Sequence, residues 1–183
     1  PWGGNMDAGW TRWVLDEHDF DYDQIRSADF IDGNIKNKFD VIILPEMSSV
    51  TLIQGLQGPN IRPEYRGGIG TQGKQNLLNF VTNGGILITL GNTAKFAIDH
   101  LNVPLENVVG GQSEESFYCP GSILRVSVDT SHPIGFGLPD HVDAMFVENG
   151  GYLAKRTLRG EKVKTIVAYP NSKLLRSGWL TGG

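Results

Sequence analysis

The stretch GGILITLGNTAKFAIDH, Gly84 to His100, reads as a buried strand, a sharp turn and a helix. In many hydrolytic α/β folds a nucleophile stands on such a turn. Here the turn is Gly91-Asn92-Thr93, with neither cysteine nor serine in it. Glu46 directly follows the apolar run Val41–Leu44. Crevices of wound sheets lie beyond the carboxyl ends of their strands. Glu46, Gly91, Asn92 and Thr93 are therefore expected to flank one small polar crevice. The plain structural alternative is that Asn92 or Thr93 caps the helix, and the two are compatible. A carboxamide and a β-hydroxyl with no adjacent base do not make an attacking group.

A displaced nucleophile has two candidates, Thr93 and the single cysteine, Cys119. A reactive thiol needs a lowered pKa, as at a helix N-terminus or beside a cation. Cys119 is followed by Pro120-Gly121 and then a strand, so a packed thiol is the favoured reading. His132 or His100 would have to serve as its base. His132 lies in DTSHPIGFGLP, where a turn fixed by Pro133 is expected. The four histidines are scattered, and no H-E-x-x-H occurs. A catalytic zinc needs about three protein ligands, so no metal site is expected in this chain. GGIGTQGKQ fits two phosphate-binding patterns literally, through Gly68, Gly70 and Gly73 and through Gly68 to Lys74. Both need a strand directly before the glycines. GPNIRPEYRG precedes them, so a loop closing into a helix cap is read instead.

The elements that must position these residues follow from periodicity. Met6–Phe20 is expected to be a helix capped by Asp7, with Trp10, Trp13, Val14 and His18 on one face and the tryptophans packed in the core. Asp19–Ile25 alternates like a short strand, and Ser27 caps a short helix through Ile35. Val41–Leu44 is a strand covered on both faces. Residues 48–70 form a long loop without periodicity. Thr71 opens a helix with Leu77, Leu78 and Val81 inward, stopped at Gly84-Gly85. Ile86–Leu90 is a strand, and a helix follows from Thr93 to Leu101. Strand and helix alternating through short links predict a parallel sheet wound on both faces. Ser122–Asp129, Asp143–Asn149 and Val163–Pro170 are strands joined by turns, so antiparallel pairing is expected toward the C-terminal end.

With 183 residues, 39% hydrophobic and 20% charged, the chain has a globular balance and the length of a single domain, 1–183. A net charge of −4 implies no basic face, which argues against nucleic acid. No apolar run approaches the roughly 20 residues that span a bilayer. The chain opens on Pro1, and PWGGNMDAGW has neither a basic start nor an apolar stretch. No signal peptide is read there, and a processed or excised piece is expected.

The order of elements around FDVIILPE and GGILITLGNTAKFAI resembles a class I glutamine amidotransferase-like domain. MDAGWTRWVLDE, GGIGTQGKQNLLNFVTNGG, FYCPGSILRVSVDTSHPIGFGLP and SGWL are similar to the amidotransferase-like region C-terminal to the catalytic domain in some secreted bacterial zinc carboxypeptidases. The resemblance runs from about Trp2 to Leu180 and implies an α/β, flavodoxin-like three-layer sandwich. Its sheet would be mostly parallel, with some antiparallel strands toward the C-terminus. It implies an exported parent, extracellular or periplasmic, with its zinc in an upstream catalytic domain and no cofactor in this chain. It also implies a domain trimmed at both ends. True amidotransferases carry Cys at the elbow and a downstream His-x-Glu, and both are missing here. The expected role is a non-catalytic accessory domain that binds or positions the neighbouring catalytic domain, a peptide or a cell-wall glycan. A hydrolase using Cys119 or Thr93, or a small-ligand sensor using the crevice, is the alternative.

Overall fold

The computed structural model describes residues 1–147, 154–156 and 163–182. They gather into two compact units, Pro1–Val103 and Pro104–Gly183. The first is built from α1 (Met6–Glu17), α2 (Ser27–Asp32), β1 (Val41–Leu44), α3 (Ser49–Gln54), α4 (Gly70–Thr82), β2 (Ile86–Thr89) and α5 (Thr93–His100). The second holds β3 (Leu105–Asn107), β4 (Gly121–Val128), β5 (His141–Val147), β6 (Ala154–Arg156), β7 (Val167–Ala168) and β8 (Leu175–Gly178).

In the first unit β1 and β2 run parallel, with Val41 beside Ile86 and Leu44 beside Thr89. Side chains alternate between sheet faces. Ile42 and Leu44 therefore enter the core with Phe30, Ile35, Leu52, Ile69, Leu77, Phe80 and Phe96. Burying each such side chain contributes about 1.5–3 kcal/mol. The opposite face, with Val41, Ile86 and Ile88, is exposed. The expectation that β1 is covered on both faces is thus corrected: one face carries the core. In α4, Leu77 points inward as expected, and its inward partner is Phe80, while Val81 is exposed.

Four further expectations fail in this unit. Asn5, not Asp7, caps α1: its side-chain oxygen accepts from the Ala8 amide at 2.9 Å. Trp10 and Trp13 are 64% and 54% exposed, and they meet edge to face at 6.0 Å on the surface. An apolar helical stripe marks what can be buried, and burial also needs a facing element. Replacing Trp13 by Gln should therefore change unfolding free energy by less than about 0.5 kcal/mol, measured by urea titration. A loss near 3 kcal/mol would return Trp13 to a core. Asp19–Ile25 forms no strand, and α2 ends at Asp32, where Gly33 turns left-handed at φ 84°.

The segment 48–70 is not a featureless loop. Ser48 caps α3, accepting from the Thr51 amide at 3.0 Å, and Leu52 and Ile69 are buried from it. A 3-10 turn at Pro63–Tyr65 and an isolated bridge between Leu56 and Gly67 precede the glycine run. No strand feeds that run, which removes the context that a phosphate loop requires.

The second unit is antiparallel, as expected for this end of the chain. β4 pairs along its length with β5, from Gly121–Val147 to Ser127–His141, and also pairs with β7 and β8. Its buried positions alternate: Ser122, Leu124, Val126 and Val128. The strand expected over Val163–Pro170 shrinks to β7, and the last two residues of Asp143–Asn149 lie outside the described residues. β3 pairs antiparallel with β6. The expected predominance of parallel strands is not seen: among the described residues the fold is mixed α/β, with parallel pairing confined to β1 and β2. No helix among the described residues is long and apolar enough to cross a membrane.

Candidate functional site

Parallel pairing of β1 and β2 brings their carboxyl ends together, and the Leu90 amide donates to the Leu44 carbonyl at 3.0 Å. Glu46 follows one strand and Gly91-Asn92-Thr93 follows the other. The structure brings all four residues into one cluster. The Glu46 carboxylate accepts from the Asn92 backbone amide through Oε2 and from the Asn92 side-chain amide through Oε1, the latter at 2.8 Å.

Neither expected cap is used. Asn92 stands at the N-cap position of α5 with its carbonyl accepting from the Lys95 amide at 3.1 Å, but its side chain makes no cap bond, because the carboxamide turns to Glu46. Thr93 is 1% exposed, and its hydroxyl lies 2.6 Å from the Leu90 carbonyl and 3.1 Å from the Leu44 carbonyl. Glu46, from 46 residues away, takes the backbone amide of the N-cap residue itself, while the Thr93, Ala94 and Lys95 amides donate to the Leu90, Gly91 and Asn92 carbonyls. Helix N-termini present unpaired amides and partial positive charge, and so favour anions. The protein fills this anion position with its own carboxylate.

Gly91 makes that approach possible. It lies at φ +54°, and a Cβ there would overlap Glu46 Oε2. Asn5, which sequence reading did not single out, extends the cluster. While its oxygen caps α1, its amide donates to the Glu46 carbonyl at 2.8 Å. An asparagine just ahead of an amphipathic run is a legible cap signal. Its second bond is set only by tertiary structure. Glu46 thus joins the start of α1, the end of β1 and the start of α5.

The alternative nucleophiles are placed differently. Thr93 directs its hydroxyl at the Leu44 and Leu90 backbone carbonyls within the fold. Cys119 is 0% exposed, packed with Val109, Phe117, Leu124 and Phe146, with Tyr169 and Leu174 against that cluster. Burial pushes the Tyr169 phenol above its ordinary pKa, and charge repulsion from the Cys119 sulfur, when ionised, adds to the rise. His132 caps a 3-10 turn over Pro133–Gly135, its Nδ1 accepting from the Ile134 amide at 3.2 Å. This nitrogen serves the turn that Pro133 was expected to fix. His100 belongs to α5 in the first unit, its ring 5.2 Å from Phe96. Among the described residues no three His, Cys, Asp or Glu side chains gather as a metal set.

A thiol in such surroundings should resist alkylation. Iodoacetamide at neutral pH is expected to modify Cys119 only as fast as its unit opens, and fully in denaturant. Rapid stoichiometric labelling of the folded chain would restore it as a nucleophile.

Compared with protein-family models, with curated proteins and with solved structures, the chain matches none.

Proposed function

We propose that this chain is a non-catalytic accessory domain of a zinc carboxypeptidase family protein, built on a flavodoxin-like, amidotransferase-like plan. One observation carries the non-catalytic part of the reading: the elbow between β2 and α5 is occupied by the carboxylate of Glu46. A working elbow must hold an attacking atom and leave amides open for the negative charge that develops in acyl transfer. At this elbow the leading amide is already bonded to an anion, and the hydroxyl beside it is buried against carbonyls. Such a corner stabilises a fold and performs no displacement.

The rest of the proposal rests on the sequence phrases that resemble the carboxypeptidase-linked region. The parent is exported, its zinc sits in an upstream catalytic domain, and this domain binds or positions that neighbour or its substrate. The test is to incubate the purified chain with glutamine, p-nitrophenyl acetate and short peptides. Ammonia, phenolate and free amino acids are followed, and adducts are sought by mass spectrometry with a fluorophosphonate probe. No turnover above buffer and no adduct are expected. Turnover abolished by Thr93→Ala or Cys119→Ala would overturn the reading.

A further inference from the structure

A second feature of the first unit shares no residue with the elbow. The leading segment lies against the loop between α3 and α4, and between them runs an open groove of about 440 Å³. Trp2, Leu56, Asn60, Arg62 and Tyr65 line it. Trp2 and Tyr65 meet edge to face at 5.0 Å, and the Arg26 guanidinium stands 4.3 Å from the centre of the Trp2 ring. Held on two sides, Trp2 is nevertheless 40% exposed and Tyr65 38% exposed. The loop beneath is braced: Arg66 donates to the Ile61 carbonyl at 2.6 Å and the Pro59 carbonyl at 3.3 Å, and the Gly67 amide closes onto Leu56 at 3.0 Å. Rings fixed before binding lose little conformational entropy when a ligand arrives.

The chemistry of the walls selects the occupant. The Trp2 and Tyr65 side chains and Leu56 provide the apolar part of the lining. Asn60 and Arg62 provide polar groups beside it, the usual composition of a small-ligand site. Arg62 has one acidic neighbour, Glu64, at a loose 3.8 Å, with both side chains largely exposed. Its guanidinium can offer a bidentate fork to a carboxylate. Arg26 adds a second positive charge beside a groove on a chain of net charge −4. An extended peptide is commonly taken by adding a strand to a sheet edge, and no strand runs along this groove.

We infer that the groove binds an acidic carbohydrate, with a pyranose ring against Trp2 and Tyr65 and its carboxylate at Arg62. The inference is independent of whether the elbow is silent.

Titration calorimetry of the whole chain tests it, with tetragalacturonate as the acidic sugar, cellotetraose as the neutral one and a tetra-glutamate peptide as the competing class. Tetragalacturonate is expected to bind at least tenfold more tightly than either of the others, and to weaken as salt rises. Trp2→Ala and Arg62→Gln should each weaken binding tenfold or more, and Trp2→Phe should retain most of it. Circular dichroism and the melting temperature of each variant establish that it is folded, and Arg62→Gln, at an exposed position, keeps the test open if Trp2→Ala fails that check. No heat with tetragalacturonate up to about 10 mM, preference for the peptide, or binding that ignores both substitutions would overturn the assignment.

Discussion

Gly91→Ala should lower the stability of the first unit by about 3–4 kcal/mol and its melting temperature by roughly 10 °C, without altering any catalytic rate. Two terms combine. At φ +54° an alanine is held in the left-handed region, which costs about 1–2 kcal/mol. Its methyl group would also overlap Glu46 Oε2 and so displace the carboxylate from the Asn92 amides. Hydrogen bonds to a charged group contribute about 1.5–3 kcal/mol each when buried. Glu46 and Asn92 are only half-buried, so the displaced groups regain water and the joint loss is nearer 2 kcal/mol. Thermal melting followed by circular dichroism reads the sum. A change under about 1 kcal/mol would mean that the carboxylate moves aside at no cost.

Gly68→Ala should be harsher, at about 4 kcal/mol or more, enough to remove most soluble protein from a chain of ordinary stability. A Cβ at this position would fall on the Leu52 carbonyl oxygen and within 2.6 Å of the Ile53 carbonyl carbon. Both are backbone atoms of α3, so no side-chain rotation relieves the overlap. Separating the strands of chain would also break the bond from the Ile69 amide to the Leu52 carbonyl at 3.0 Å and lift the buried Ile69. Gly70→Ala provides the contrast: it has φ +59° with open space around it, and about 1–2 kcal/mol is expected. A phosphate loop would show the opposite order of concern, with nucleotide binding lost at both positions. Pulse proteolysis of the variants ranks them, and equal stability of Gly68→Ala and Gly70→Ala would refute the close-packing account.

The fold was legible where local pattern and tertiary environment agree. β1, α4, β2 and α5 lie within a residue or two of where periodicity sets them, because each presents an apolar face to the same core. The succession of strands joined by turns after Gly121 likewise predicted antiparallel pairing at this end. α3 was hidden because six residues are too few to show a period, although Ser48 before it and Gly55 after it are its start and stop signals. α1 was legible as a helix and misleading as a core element, since no α1 residue is buried. The crevice residues were legible as neighbours, because strand ends define a crevice wherever two parallel strands pair. That Glu46 takes both Asn92 amides at the start of α5 was not legible. Local sequence offers Asn92 and Thr93 as caps, and only the fold brings a better acceptor from 46 residues away.

The central claim is that Glu46 and the elbow form one structural unit in which Gly91 exists to admit the carboxylate. A double-mutant cycle over Glu46→Ala and Gly91→Ala, read by urea denaturation, tests it most directly. If the claim holds, Gly91→Ala costs about 3–4 kcal/mol in the parent chain and only about 1–2 kcal/mol once Glu46 is alanine, a coupling near 2 kcal/mol. Strictly additive effects, with Gly91→Ala equally costly in both backgrounds, would show that the glycine and the carboxylate act separately and would contradict the account.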